Sequence, residues 1–173
     1  MRPKLSVVVP VRDAAGALRA CLASLAAATE IEREVIVADD ASSDGSAALA
    51  AGFGARVVRL ERHAGPAAAR NRGAQVAQAE HVLFLDADVC VHPDTLARVT
   101  AAFAADGAPE ALFGSYDTSP AAVNLISQYK NLLHHYVHQR APDEAETFWS
   151  GCGAIRRDVF LAAGGFDEAY ARP

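Results

Sequence analysis

The sequence predicts an α/β domain, a mostly parallel sheet flanked by helices with a smaller subregion after residue 117. Three observations predict it. Short β-branched apolar runs alternate with helix-period segments through the first half of the chain. Acidic residues stand immediately after two of those runs, at 39–40 and 86–88. Beyond Asp117 the alternation gives way to one long helical pattern and a glycine-broken aromatic stretch. Strands separated by helices of about 10–15 residues imply βαβ units. Right-handed crossovers then bring the C-terminal ends of the strands to one edge, where ligands of open α/β sheets bind.

Leu5–Val11 (LSVVVPV) is too short for a core helix and suits a strand buried on both faces. Residues 14–28 place Leu18, Leu22 and Leu25 at helical spacing. Residues 34–38 form a second buried strand, and Ser43 or Asp44 can cap a short helix running to about residue 51. A third strand at 56–60 leads into a helix at 66–78 with Pro66 in its first turn. The fourth strand, 82–85, ends in Asp86-Ala87-Asp88; a helix at 93–105 and a strand at 111–116 follow. Residues 120–140 read as a helix with Leu125, Tyr129, Leu132, Leu133 and Tyr136 as its apolar stripe. Residues 148–155 read as extended, then a short helix at 158–163 precedes GGFDEAY.

Composition narrows the function classes. With 173 residues, 51% apolar and 21% charged, the chain can bury one core but not two full-sized domains. A net charge of −5 without a like-charge run argues against a nucleic-acid partner. Cys21, Cys90 and Cys152 are widely spaced and lack a CxxC pattern, so they read as free thiols of a reducing compartment. No secretory pattern and no membrane-length apolar run is present. The cytoplasm is the expected location, at the inner face of a membrane should the chain belong to a longer protein.

The chemistry-bearing residues collect at the predicted sheet edge. Near-extended backbone puts Asp86 and Asp88 on the same side. Two carboxylates so placed repel unless a hard divalent cation, Mg²⁺ or Mn²⁺, joins them; the bland alternative is a solvated loop or a helix cap. Asp40 can accept from a base N–H or from ribose hydroxyls, whereas Ser43, Asp44 and Gly45 suit turn and cap chemistry. Arg62, His63, Arg70 and Asn71 surround a helix N-terminus, a setting that suits a diphosphate, and Arg72 reads as a surface arginine. His134 and His138, with His135 between them, lack the acid of HExxH and read as a solvated or partner-facing face rather than a zinc site. Trp149, within Phe148 to Gly153, fits an acceptor platform or a core aromatic equally well. Cys152 has no base partner in sequence and is not read as a nucleophile.

Taken together, SVVVPVRDAAGALRACLASL, EVIVADDASSDGS, RHAGPAAARNRGA, VLFLDADV and GGFDEAY resemble family 2 glycosyltransferases with the Rossmann-like GT-A fold. The resemblance covers nearly the whole chain. It implies a nucleotide-diphospho-sugar donor, a divalent cation, and inverting transfer to the hydroxyl of a glycan, lipid or other acceptor. Residues 1–117 would form the donor-binding α/β region, and 118–173 part of the acceptor side. Carried over by motif, Pro10 and Arg12 border the base, Asp40 meets base or ribose, and Arg70 with Asn71 lies near the diphosphate. Asp86 and Asp88 form the DxD, with Asp88 the direct metal ligand, and Trp149, Gly151 and Cys152 stand on the acceptor side. Family members commonly carry the catalytic base in a Glu-Asp pair after GGFDE. This chain stops at Arg172-Pro173 before any such pair, which leaves Asp167 as a weak candidate and reads as a truncated domain. A donor-binding fragment without turnover is the alternative. A haloacid-dehalogenase-like phosphatase, with Asp86 as nucleophile and Asp88 as acid, is a more distant one, since Cys90 stands where that motif wants Thr or Val.

Overall fold

The computed structural model describes residues 3–120, 124–140 and 147–169. Its elements are β1 (Leu5–Val11), α1 (Ala15–Ala27), β2 (Arg33–Asp39), α2 (Ser46–Gly52), β3 (Arg56–Arg59) and α3 (Pro66–Val76). β4 (His81–Leu85), α4 (Thr95–Ala104), β5 (Ala111–Phe113), α5 (Leu125–Arg140), β6 (Cys152–Arg156) and α6 (Arg157–Ala162) complete the chain.

The six strands form one sheet in the order β3-β2-β1-β4-β6-β5. β1 pairs in parallel with β2 and β4, and β2 with β3, which realises the expected βαβ units. β6 then inserts between β4 and β5 and runs antiparallel to both, so the complete sheet is mixed. Glycine makes that insertion possible. A Cβ on Gly153 would lie 2.5 Å from the Trp149 carbonyl and 2.6 Å from the Phe148 ring.

β1 is central and buried along its length, and its alternation divides the core. Leu5, Val7, Val9 and Val11 face Leu18, Leu22 and Leu25 of α1 together with Leu83, Leu85 and Leu96. Val8 points the other way, with Ile36, Phe84 and Phe160. Gly73 lets α3 close onto that face, because a Cβ there would come within 2.4 Å of Val8 Cγ1. Buried Ser6 is satisfied by donating to Glu34 Oε1 at 2.5 Å and accepting from Ala79 N at 3.0 Å.

α5 departs from the sequence expectation. Its apolar stripe faces solvent, with Leu125 82%, Tyr129 64% and Tyr136 54% exposed, and Leu132 and Leu133 nearly half exposed. The polar face meets the body instead. His135 Nδ1–H donates to the Tyr116 carbonyl at 2.6 Å, and Asn131 Nδ2 to the Asp117 carbonyl at 2.7 Å. Gln139 reaches Ser115 Oγ, and His134 and His138 lie against the Tyr116 ring. The physical reason is the irregular backbone after β5, whose carbonyls need donors that an apolar stripe cannot supply. His135 and His138 are therefore half-buried against the body while His134 stays exposed, and residues 121–123 of the expected helix lie outside the described residues.

Candidate functional site

The C-terminal edge of the sheet gathers three acidic segments. At the end of β2, Asp39 is fully buried and its Oδ1 accepts from Ser42 N at 3.0 Å. Its Oδ2 lies 3.4 Å from Arg59 Nε, close enough for an ionic contact but without hydrogen-bond geometry. Asp44 is structural, as read from the sequence, but stands one residue before Gly45, the N-cap of α2. It accepts from Ser46 N and Oγ on α2 and from Ala15 N at the start of α1. Asp13, in the left-handed region at φ +46°, accepts from Ser43 N at 2.6 Å, which fixes the β1 exit against the β2 exit. These hydrogen bonds hold both carboxyls, Asp13 and Asp44, below the usual aspartate range. Pro10 is buried at the end of β1 opposite Ala38, and exposed Arg12 follows it beside Asp13.

Asp40 is almost fully buried, and both of its oxygens are engaged by the loop before α3. Oδ1 accepts from Ala64 N at 2.7 Å, and Oδ2 from Gly65 N at 3.0 Å and from the His63 ring at 2.6 Å. The N–H groups that lead into α3, read in the sequence as a diphosphate seat, are thus occupied by a carboxylate of the same chain. His63 itself stays half-exposed.

After β4, Asp86 and Asp88 have different surroundings. Arg70, on the second turn of α3 and 8% exposed, donates from Nη2 to Asp86 Oδ1 at 2.5 Å. Its guanidinium lies over the Phe166 ring, 5.7 Å from the centroid, and its Nε is buried without a partner. Asp86 N donates to the Gly151 carbonyl at 3.0 Å, which ties the DxD to the segment before β6. Asp88 is exposed, and no hydrogen bond or ion pair engages its carboxylate among the described residues.

Asn71 is committed elsewhere. Its Nδ2 donates to the Phe166 carbonyl and to Glu168 Oε1, and its Oδ1 accepts from Phe166 N at 2.9 Å. Gly165 makes this clasp possible, at φ +76° and with space for a Cβ closed by Asn71 Oδ1 at 2.5 Å. Asp167 is exposed and accepts from Ala169 N, a turn contact. Arg72, as expected of a surface arginine, is exposed and donates to Gln75 of its own helix.

On the other side of the DxD, Trp149 packs on Tyr116 and His138 at centroid distances of 5.3 and 5.1 Å. Gly151 lies against the indole, where a Cβ would meet Cζ2 at 2.6 Å. Burial raises the Cys152 thiol, Gly114 N–H opposes the shift, and Asp86 adds to it. Burial also raises the Tyr116 phenol, and the charges of Asp88 and Asp86 add to the shift. Three relationships were invisible in the sequence: Arg70 with Asp86, His63 with Asp40, and Tyr116 with Trp149. Each joins segments far apart in the chain, and no local pattern signals them.

Residues 6–162 match the sequence profile of glycosyl transferase family 2. The chain belongs to that family. The chain is 39% identical over 94 residues to an uncharacterized glycosyltransferase, YibD, of Escherichia coli K12, covering 52% of this chain and 27% of that protein. It is 34% identical over 100 residues to the succinoglycan biosynthesis protein ExoO of Rhizobium meliloti, covering 56% of this chain and 29% of that one. Among solved structures, S. aureus TarS 1-349 in complex with UDP superposes with a TM-score of 0.76 at 24% identity, over 97% of this chain and 51% of that one. The mannosyltransferase PcManGT of Pyrobaculum calidifontis, in complex with GDP-Man and Mn²⁺, gives 0.72 at 25% identity, over 97% and 48%. The chain thus has the GT-A fold and spans about half the length of these solved relatives. Family membership displaces the phosphatase reading of the DxD.

Proposed function

We propose that this glycosyltransferase binds a nucleotide-diphospho-sugar at the C-terminal sheet edge and transfers its sugar, with inversion, to an acceptor hydroxyl. The observation that carries the reading is the asymmetry of the DxD. Arg70 holds Asp86 in place, while Asp88 projects beside it without a partner among the described residues.

Such a pair fits a hard cation that takes oxygen ligands. Among the described residues no group of three or more ligating side chains is assembled. A cation held by Asp88 and by the second oxygen of Asp86 would therefore complete its shell with water and donor phosphate, as Mg²⁺ and Mn²⁺ do. Bound there, the ion supplies Lewis-acid neutralisation of the departing diphosphate. Arg70 keeps Asp86 aimed and adds positive charge beside the same carboxylate. Pro10, Arg12 and Asp40 border the nucleoside end, Asn71 holds the 165–168 segment beneath Arg70, and Trp149, Gly151 and Cys152 form the acceptor side with Tyr116. Asp167 spends Oδ1 on a turn, so we assign it no proton transfer. The PcManGT complex with GDP-Man and Mn²⁺ and the TarS complex with UDP support a nucleotide-sugar donor and a divalent cation. No described helix is long and apolar enough to cross a membrane.

Calorimetric titration with UDP, GDP, dTDP and CDP, each with Mn²⁺ and with EDTA, tests the reading. One nucleoside diphosphate should bind with Mn²⁺ and not with EDTA, and Asp88→Ala should abolish that dependence without unfolding the chain. Metal-independent binding, or Asp88→Ala with unchanged affinity, would overturn it.

A further inference from the structure

Resting on the donor site just proposed, we infer that His63 determines which nucleobase is accepted, and that Asp40 sets this choice by fixing the histidine's tautomer. Asp40 alone is a poor contact for a base. Its side chain is 4% exposed, and three donors of the 63–65 loop already engage its two oxygens. His63 covers it, and 49% of the His63 side chain faces solvent at the ligand edge.

A carboxylate only accepts, so the 2.6 Å contact to Asp40 Oδ2 places the proton of the neutral ring on Nδ1. Nε2 is left as a bare acceptor, and no partner takes it among the described residues. The group presented to a base is therefore an acceptor fixed in direction by a buried anion. It complements a ring N–H, which uracil, thymine and guanine carry. Cytosine presents an acceptor at the corresponding ring nitrogen and meets Nε2 lone pair to lone pair. The site should therefore take donors built on an imide or lactam base and discriminate against cytidine donors.

The test is calorimetric binding of UDP, dTDP, GDP and CDP with Mn²⁺ at pH 8, for the intact chain and two variants. The unmodified protein should favour UDP, dTDP or GDP over CDP. His63→Phe keeps a ring but removes the acceptor, and should cut that preference about tenfold, by weakening the favoured nucleotide and by relieving the lone-pair clash with CDP. Asp40→Asn removes the anion that fixes the ring and sets an NH2 against the N–H of Ala64 or Gly65, so Nε2 is no longer held as the acceptor. The preference for UDP, dTDP or GDP over CDP should shrink with it. His63 is half-exposed, so its variant tests the inference even if Asp40→Asn fails to fold. An unchanged preference in His63→Phe, or an equal loss for all four nucleotides, would overturn the inference and leave the donor site standing. Absence of binding by the unmodified protein would overturn the donor site and the inference with it.

Discussion

Arg70 and Asp86 meet at 2.5 Å although they stand sixteen positions apart and on different elements. The contact crosses from α3 to the end of β4, and Phe166 lies under the guanidinium. One side chain thereby joins the helix, the DxD and the GGFDE segment. Loss of Arg70 should be felt at all three.

Arg70→Ala should leave Asp86 without its partner and open space over Phe166. Asp86 is 38% exposed, so water relieves part of the lost charge pairing and the cost should be about 1–3 kcal/mol. Thermal unfolding should show a lowered Tm, and Mn²⁺-dependent nucleotide affinity should fall at least about tenfold, a loss of 1.4 kcal/mol. Arg70→Lys should recover much of the stability but less of the affinity, because an ammonium lacks the planar fork.

Asn71→Ala removes three hydrogen bonds that hold residues 166 and 168 to α3. The expected loss is about 2–4 kcal/mol from bonds of roughly 1 kcal/mol each plus the exposed partners. Amide exchange should accelerate at Phe166 with little change in β1. Asn71→Asp should sit between the two, since it keeps the acceptor for Phe166 N but places a charge against Glu168.

The docking of α5 should depend on pH. Burial holds the His138 pKa below 6.5, and the charges of His134 and His135 lower it further. His138 Nδ1 is buried and has no partner among the described residues, which offer nothing for a proton there to bond. The folded state binds this proton less readily than the unfolded chain. Its contribution to stability is full above pH 6.5 and lost as pH falls through the lower folded value. His81, stacked on Phe103, is shifted the same way by its own burial at the opposite end of the sheet. Protection factors, taken relative to intrinsic exchange at each pH, should therefore fall at Asn131 to Gln139 as pH drops from 7.5 to 5.5. His138→Gln should remove that fall locally while the global pH dependence from His81 remains.

The outward stripe of α5 should contribute little to stability despite its composition. Leu125→Ala should shift unfolding free energy by no more than about 0.5 kcal/mol, as surface substitutions do. Leu83→Ala, fully buried on β4, should cost about 2–5 kcal/mol by cavity formation. Urea unfolding of the two variants compares them directly, and a large loss at Leu125 would mean that α5 packs by its apolar face.

Much of this protein is legible from local pattern alone. β1 and β4 are apolar runs ending in polar residues, and strand period with burial on both faces admits few other readings. Asp44 was readable as structural because Ser, Gly and Asp at a helix start act within a few residues of one another. The DxD was readable because Asp86 and Asp88 are two positions apart. Every one of these features is short-range.

What lay beyond reach is long-range. The apolar stripe of α5 predicted the face that packs, but the unpaired carbonyls of Tyr116 and Asp117 selected the histidine and asparagine face instead. Arg70 and Asn71 are neighbours in sequence, and pattern assigned them one task. Helix geometry sends Arg70 to Asp86 and Asn71 to Phe166. The sequence alone determined the α/β alternation, the acidic edge and the family, because period, spacing and motif order are properties of the chain itself. Only the tertiary structure decided that Asp86 is clamped while Asp88 has no partner among the described residues, and that Asp40 lies beneath His63. Those outcomes depend on which loops the sheet order brings together, and no local pattern records that.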